Sequence, residues 1–187
     1  MDNPPIRVPC LVVLVGPPGS GKTTWARRNG RGAVHVSQDD LIDAITPHGF
    51  EHIYRPVYHE AEDAVARAAL QAGHTVIVDR TNRTRAHRER WLRMARDSGC
   101  PAIAVVMTTP ETLCRERNAS RGGDSRLSAE RMERMLAALE AVRPDEGFVF
   151  VHTENGVEDG IGLEEILAQA MDRQKEQSSH EYCHETR

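Results

Sequence analysis

The run Leu11-Val12-Val13-Leu14-Val15 leads straight into Gly16-Pro17-Pro18-Gly19-Ser20-Gly21-Lys22-Thr23, which fits the pattern GxxxxGK[ST] at every fixed position. A buried strand, a glycine-rich turn and a helix start in that order leave few architectures open. The glycines let backbone N–H groups turn inward around phosphates without Cβ clashes, and the following helix presents its positive end to the same anion. The segment from Gly16 through Gly19 and Gly21 to Thr24 therefore reads as a nucleoside triphosphate site for ATP. Pro17, Pro18 and Ser20 complete its loop. Lys22 reaches the β and γ phosphates, and the Thr23 hydroxyl is a ligand for Mg²⁺.

At 187 residues the chain is long enough for one well-buried core and short for two domains. A net charge of -4 supplies no global field toward nucleic acid or membrane. Positive charge is locally dense and almost entirely arginine, Lys22 and Lys175 being the only lysines. Arginine's planar fork suits phosphate oxygens, although a coding bias accounts for the ratio equally well. Cys10, Cys100, Cys114 and Cys183 form no CxxC pair, which fits a reducing, cytoplasmic compartment. No apolar stretch approaches the ~20 residues of a membrane span, and residues 1–9 lack the apolar core of an export signal. The oligomeric state is left open.

Short apolar runs bounded by turn residues alternate with helical patterns, which predicts an α/β fold with a parallel sheet. Candidate strands are 10–15, 33–37, 75–79, 102–107 and 148–152, with helices beginning near Lys22, Asp40, Pro56, Thr84, Thr109 and Ser128. Met132, Met135, Leu136 and Leu139 form one apolar helical stripe. Leu163, Ile166, Leu167, Ala170 and Met171 form another, and both read as core faces. Residues 1–171 read as one domain. The polar stretch 172–187 reads as a disordered tail, and its His180, Cys183 and His184 as tail residues rather than a metal cluster.

Two adjacent carboxylates, Asp39 and Asp40, follow the second strand, at the carboxyl end of the sheet where ligands bind. Phosphoryl transfer to an alcohol needs a base that accepts the hydroxyl proton in line with the γ phosphate. Asp39 is the candidate base and Asp40 a second acceptor-side group, with a helix N-cap as the competing role for either. The third strand ends at Asp79, in a setting that orders the Mg²⁺ shell, and Arg80-Thr81-Asn82 follows. Asn82 positions either the acceptor or the loop itself. Farther on, a helix carries Arg115, Arg117 and Arg121 into a Gly122-Gly123 break. Arg117 and Arg121, four apart, can converge on one anion as a mobile arginine lid. Arg85, Arg88, Arg93 and Arg96 suggest a basic stripe that could track a nucleic-acid backbone, or a solvated face.

The phosphate loop, the Asp39-Asp40 pair, Val78 to Asn82 and Glu116-Arg117-Asn118-Ala119-Ser120-Arg121 together resemble the polynucleotide 5′-kinase family of phosphate-loop phosphotransferases. The match covers roughly residues 10–152. It implies a P-loop NTPase fold, with a five-stranded parallel sheet flanked by helices, the phosphate-loop strand central and the Asp79 strand beside it. It further implies an ATP- and Mg²⁺-dependent kinase with Asp39 as base, Arg117 toward the nucleotide base, Arg121 on its phosphates and a nucleic-acid hydroxyl as acceptor. One position departs. Members that act on nucleic-acid ends carry an arginine three residues after the catalytic aspartate to meet an acceptor phosphate, and here Ile42 stands there. Arg55 or Arg80 are candidate substitutes. Kinases of hydroxymethylated DNA bases, small-molecule kinases for nucleosides or sugars, zeta-type toxins and a non-kinase nucleotide switch are the alternatives.

Overall fold

The computed structural model describes residues 8–155 and 161–184. Five strands, β1 (Leu11–Val15), β2 (Val34–Ser37), β3 (Val76–Asp79), β4 (Ala102–Met107) and β5 (Phe150–Glu154), form one parallel sheet in the order β2-β3-β1-β4-β5. Every pairing is parallel, with Leu11 opposite both Val76 and Ala102. β1 is apolar throughout because helices cover the sheet on both faces. Val12 and Leu14 pack with Trp25 of α1 (Lys22–Asn29) and with Leu163, Ile166 and Leu167 of α7 (Leu163–His184). Leu11, Val13 and Val15 pack on the opposite face, against α3 (Arg55–Gln71) and α4 (Arg85–Asp97). Truncating a fully buried residue such as Leu14 to alanine costs about 2–5 kcal/mol. The remaining helices are α2 (Gln38–Ile45), α5 (Glu111–Ala119) and α6 (Ala129–Ala137). From β1 the chain crosses to the edge strand β2, returns to β3 beside β1, and then crosses to β4 on the other side of β1. That switch opens a crevice at the strands' carboxyl ends, and the whole is a P-loop NTPase-like fold.

Several boundaries differ from the sequence reading. β5 begins at Phe150 rather than 148, because its register is set by Ile103 opposite Phe150. Ser37 caps α2, accepting from the backbone N–H of Asp40 at 3.2 Å, so neither aspartate is the cap. On α6, Met132 and Leu136 are buried against Cys114, whereas Met135 turns to the cleft and Leu139, past the helix end, is exposed. The backbone of the stretch read as a disordered tail is helical as far as His184, with no glycine or proline after Gly162 to stop it. The side chains of His180, Cys183 and His184 lie outside the described residues.

The proposed arginine stripe on α4 is not one. Arg88 is fully buried, and all five of its N–H donors are taken. Nε and Nη2 form a fork on Glu146 at 2.7 and 2.6 Å, and the rest reach the carbonyls of Asn82, Glu140 and Ala141. Burial alone would push the Glu146 carboxyl up, but the bonds from Arg88 and from the Arg143 N–H hold it below the usual range. Arg85 pairs with Asp145 and Arg96 with Glu89. Arg93, exposed, is the one of the four without an ion pair among the described residues.

Candidate active site

The loop between β1 and α1 is held from three sides. Gly16 N–H donates to the Thr81 carbonyl at 3.0 Å, tying the loop to the segment after β3. The Thr109 hydroxyl donates to the Ser20 carbonyl at 2.8 Å, and Arg117 donates to the Gly19 carbonyl at 3.3 Å. Gly19 has φ +79°, and a Cβ there would sit 2.5 Å from the Cys114 carbonyl oxygen of α5, so backbone conformation and close packing both demand glycine. Residues Gly16 to Ser20 are all buried. Lys22 folds back onto the loop, donating to the Pro17 carbonyl at 2.8 Å and to the Ser20 hydroxyl at 3.4 Å. Burial lowers its pKa to about 8, with Arg121 adding to the shift and Asp79 and Asp39 opposing it. Trading those internal acceptors for phosphate oxygens would stabilise the ammonium.

A cavity of about 1570 Å³ opens over this loop. Pro18, Gly19, Gly21, Lys22, Thr23 and Thr24 line its floor, and Asp39, Asp79, Arg117 and Arg121 converge on it from four other segments. Asp79, at the end of β3, is buried and accepts from or pairs with His35 Nε2 at 3.2 Å. Asp39 faces the open cleft with protein around its carboxyl. That partial desolvation, then the Asp79 charge, raises its pKa, while Arg121 opposes the rise. A carboxyl raised from its ordinary value is better matched to taking a proton near neutrality.

The α2 turn sorts the neighbouring residues. Asp39, Ile42 and Asp43, at i, i+3 and i+4, all line the cavity. Asp40, one residue round the helix, does not, and its carboxylate lies at the surface 3.8 Å from Arg27. The acceptor-side role given to Asp40 therefore has no geometric basis. Asn82 is also committed elsewhere. Its amide donates to the Leu14 carbonyl at 2.7 Å and accepts from the Trp91 indole at 3.1 Å, holding a left-handed turn at φ 43°. Of its two possible roles, this is the loop-holding one. Arg80 lines the cavity while its guanidinium pairs with the buried Glu62 at 2.7 Å.

The segment read as a lid brings more residues to the cavity than the sequence indicated. Arg115 turns away from the cleft and binds Glu111 and Glu133, joining α5 to α6. Arg117 and Arg121 line the cavity, though α5 ends at Ala119 and Arg121 sits in the break beyond it. α6 adds Arg131, Arg134 and Met135, which the core reading of its stripe had hidden. The fifth strand's two-residue shift likewise brings the buried Glu154 to the cavity wall.

Thr23 and Asp79 supply hard oxygen donors to the same cavity, which suits Mg²⁺. Among the described residues, no cluster of three His, Cys, Asp or Glu side chains could hold a metal by itself. Two protein oxygens fit an ion whose remaining ligands are phosphate and water.

Fold and loop together define a P-loop kinase-like nucleotide-binding protein. The chain belongs to the AAA domain family, whose sequence pattern matches residues 11–142. It is 27% identical to the transcription factor bHLH140 of Arabidopsis thaliana over 164 residues, 82% of this chain and 17% of that protein. It is also 27% identical to the bifunctional polynucleotide phosphatase/kinase of Schizosaccharomyces pombe over 113 residues, 59% of this chain and 24% of that protein. The chain thus spans less than a quarter of the length of either relative. Among solved structures, Chaetomium thermophilum Kti12 in complex with ADP-AlF3 superposes with a TM-score of 0.66 at 19% identity, covering 87% of this chain and 98% of that one. No helix among the described residues is long and apolar enough to cross a membrane.

Proposed function

We propose that the chain is an ATP-dependent phosphotransferase that moves the γ phosphate to a hydroxyl on nucleic acid. One observation carries the reading: a single cavity holds the phosphate loop, a carboxyl suited to act as base and the lid arginines, with space beyond them. At about 1570 Å³ it exceeds the ~300–1,000 Å³ of a pocket for one small ligand, which leaves room for donor and acceptor together. A nucleotide switch would need a group that orients water, and Gln38 lines the cavity beside Asp39, so transfer to a labelled acceptor is what separates the two readings.

In this reading Gly19, Gly21 and Lys22 hold the phosphate tail, and Thr23 and Asp79 hold Mg²⁺. Held there, Mg²⁺ would supply positive charge to offset that of the phosphates. Asp39 accepts the proton of the attacking hydroxyl and keeps that oxygen in line. Arg121 closes on the phosphates, and Arg117, anchored at the Gly19 carbonyl, sits toward the nucleotide base. The nucleic-acid acceptor draws support from the polynucleotide phosphatase/kinase relative and from the basic wall described below. Cys10, Cys100 and Cys114 are free thiols, which suits a reducing cytoplasmic setting.

The test is transfer from γ-labelled ATP with Mg²⁺ to a panel of single-stranded oligonucleotides with 5′ hydroxyls, duplexes with hydroxymethylated bases, nucleosides and sugars. Labelled oligonucleotide is the expected product. Label only on a nucleoside or sugar moves the chain to the small-molecule kinases, and phosphate release with no labelled acceptor removes the kinase reading.

A further inference from the structure

Beyond Asp39 the cavity continues between the start of α3 and the segment leading into α4. Its wall there carries Arg55, His59, Arg80, Arg83, His87 and Arg90. These guanidiniums act on the two histidines of this wall. Burial first, then Arg80, Arg90 and Arg55, lower the pKa of His59. Burial first, then Arg83, Arg80 and Arg55, lower that of His87. Arg55 and Arg80 thus act on both rings, with Arg83 joining at one and Arg90 at the other.

Neutralisation of this wall is incomplete. Glu62, wholly buried, receives Arg80 at 2.7 Å and Arg90 at 3.1 Å, and Asp63 takes a second edge of Arg90 at 2.8 Å. Arg90 is fixed further by the His59 carbonyl and by stacking 4.5 Å over Trp91. These two carboxylates pair with Arg80 and Arg90 and leave two of the four guanidiniums of this wall without a carboxylate partner. They are Arg55 and Arg83, neither of which has an ion-pair partner among the described residues, and the Arg83 Nε is buried without any hydrogen bond. A buried N–H without an acceptor costs free energy that is recovered when the side chain shifts to meet an anion. Ile42 faces the same space from α2 and offers no polar group.

We infer that Arg55 and Arg83, steered by the Glu62-anchored Arg80, form a second anion site that receives a phosphate group carried by the acceptor next to its reacting hydroxyl. The site rests on the kinase reading of the cleft. It assigns an acceptor class: one bearing its own phosphate, either a nucleic-acid strand or a phosphorylated small molecule. Two separate segments, the start of α3 and the stretch between β3 and α4, supply this contact, to which Ile42 of α2 adds no polar group.

The test reads binding apart from turnover. A single-stranded oligonucleotide with a free 5′ hydroxyl and a 3′ fluorescent label is titrated with the full chain in the presence of a non-hydrolysable ATP analogue, and anisotropy gives the affinity. Arg55→Gln and Arg83→Gln should each weaken binding about tenfold, the scale of one charged hydrogen bond. Each should also lower the log–log salt slope by roughly 0.7, with nucleotide affinity unchanged. Replacing the first linkage with an uncharged methylphosphonate should cost wild type the same factor and cost the variants nothing more. A 3′-phosphorylated nucleoside serves as competitor: competition that depends on Arg55 supports the site in its small-molecule form. Variants that bind like wild type, or losses that simply multiply with the neutral linkage, overturn the site. Arginine-dependent binding without label transfer in a parallel γ-labelled ATP assay would sink the kinase reading and leave the site standing; transfer indifferent to both arginines does the reverse.

Discussion

The two ends of the cleft are built in opposite ways. The nucleotide end is a buried loop between a central strand and a helix, its backbone locked by the Thr81 carbonyl, the Thr109 hydroxyl and the Arg117 guanidinium. The acceptor end is assembled from the start of α3 and the approach to α4, with Phe50, Ile53, Tyr54 and Val57 exposed around it. One end makes its contacts with backbone N–H groups whose geometry the sheet dictates, and the other with long side chains from distant segments. On the proposed reading the first end is a rigid donor site and the second an adaptable acceptor site, so substitutions should hurt catalysis most at the first and select substrates at the second.

The largest effect tests the rigid end. Lys22→Ala and Arg121→Ala should each lower turnover by about 10³-fold, the scale of removing a charged group from a transferring phosphoryl. Lys22→Ala should also abolish ATP binding in calorimetry, while Arg121→Ala leaves it largely in place. Equal loss of binding in both would make Arg121 part of the loop rather than the lid. Comparable in free energy, Arg88→Ala should destabilise the fold by about 3–5 kcal/mol in urea unfolding, because it leaves Glu146 buried and uncompensated. A mild loss there would restore the idea that Arg88 belongs to a surface stripe.

Next comes the base. Asp39→Asn should cut turnover by about 10² while ATP affinity stays near wild type. Because its pKa is raised, the carboxyl protonates at higher pH than an ordinary aspartate, so turnover should fall as pH drops through that raised value. Asp40→Asn should change little, given its surface position. An inverted result would move the base to Asp40.

These outcomes also bear on what the sequence discloses. The phosphate loop, the central strand and the Asp79 end of β3 were legible because contiguous residues carry them and sheet geometry fixes their relation. Asp39 and Asp40 were legible as a pair, and helix rotation, not composition, puts only the first on the cavity wall. The arginine stripe failed because a sequence shows no ion-pair partners: Glu146 lies 58 residues from Arg88. Arg83, His87 and Arg134 were missed for the same reason, since what unites them is the cavity, not spacing in the chain. Leu139 was misassigned because the period of its stripe outlasts the helix, which ends at Ala137.

A pH titration separates the two ends with an effect of about tenfold per unit. Lys22, held near pKa 8 by burial, loses its proton as pH rises, and only the ammonium can meet phosphate. ATP affinity should therefore be flat below about pH 8 and fall tenfold per pH unit above it, and Lys22→Arg should remove the fall. Acceptor affinity should stay level from pH 7 to 10 in comparison, since guanidiniums do not titrate there and His59 and His87, lowered from their ordinary values, are already neutral. Parallel falls would mean that one shared group, not two independent sites, holds both ligands.

The smallest expected effect is the sharpest test of where the acceptor phosphate lies. Ile42→Arg places a guanidinium on the cleft face of α2, between Asp39 and the arginine wall. If Arg55 and Arg83 already hold the phosphate, the new charge gains a partial contact and pays repulsion against those two guanidiniums. Pairs of this partly exposed kind are worth about 0.2–1 kcal/mol, so oligonucleotide affinity at low salt should stay within about fivefold of wild type. The salt slope should steepen only slightly. An improvement well beyond tenfold would say instead that the phosphate passes beside α2 and that Ile42 is the residue holding affinity down. Anisotropy on Ile42→Arg alone and combined with Arg55→Gln decides between these. In the first case Arg55→Gln costs the double variant about what it costs wild type, and in the second it costs nothing.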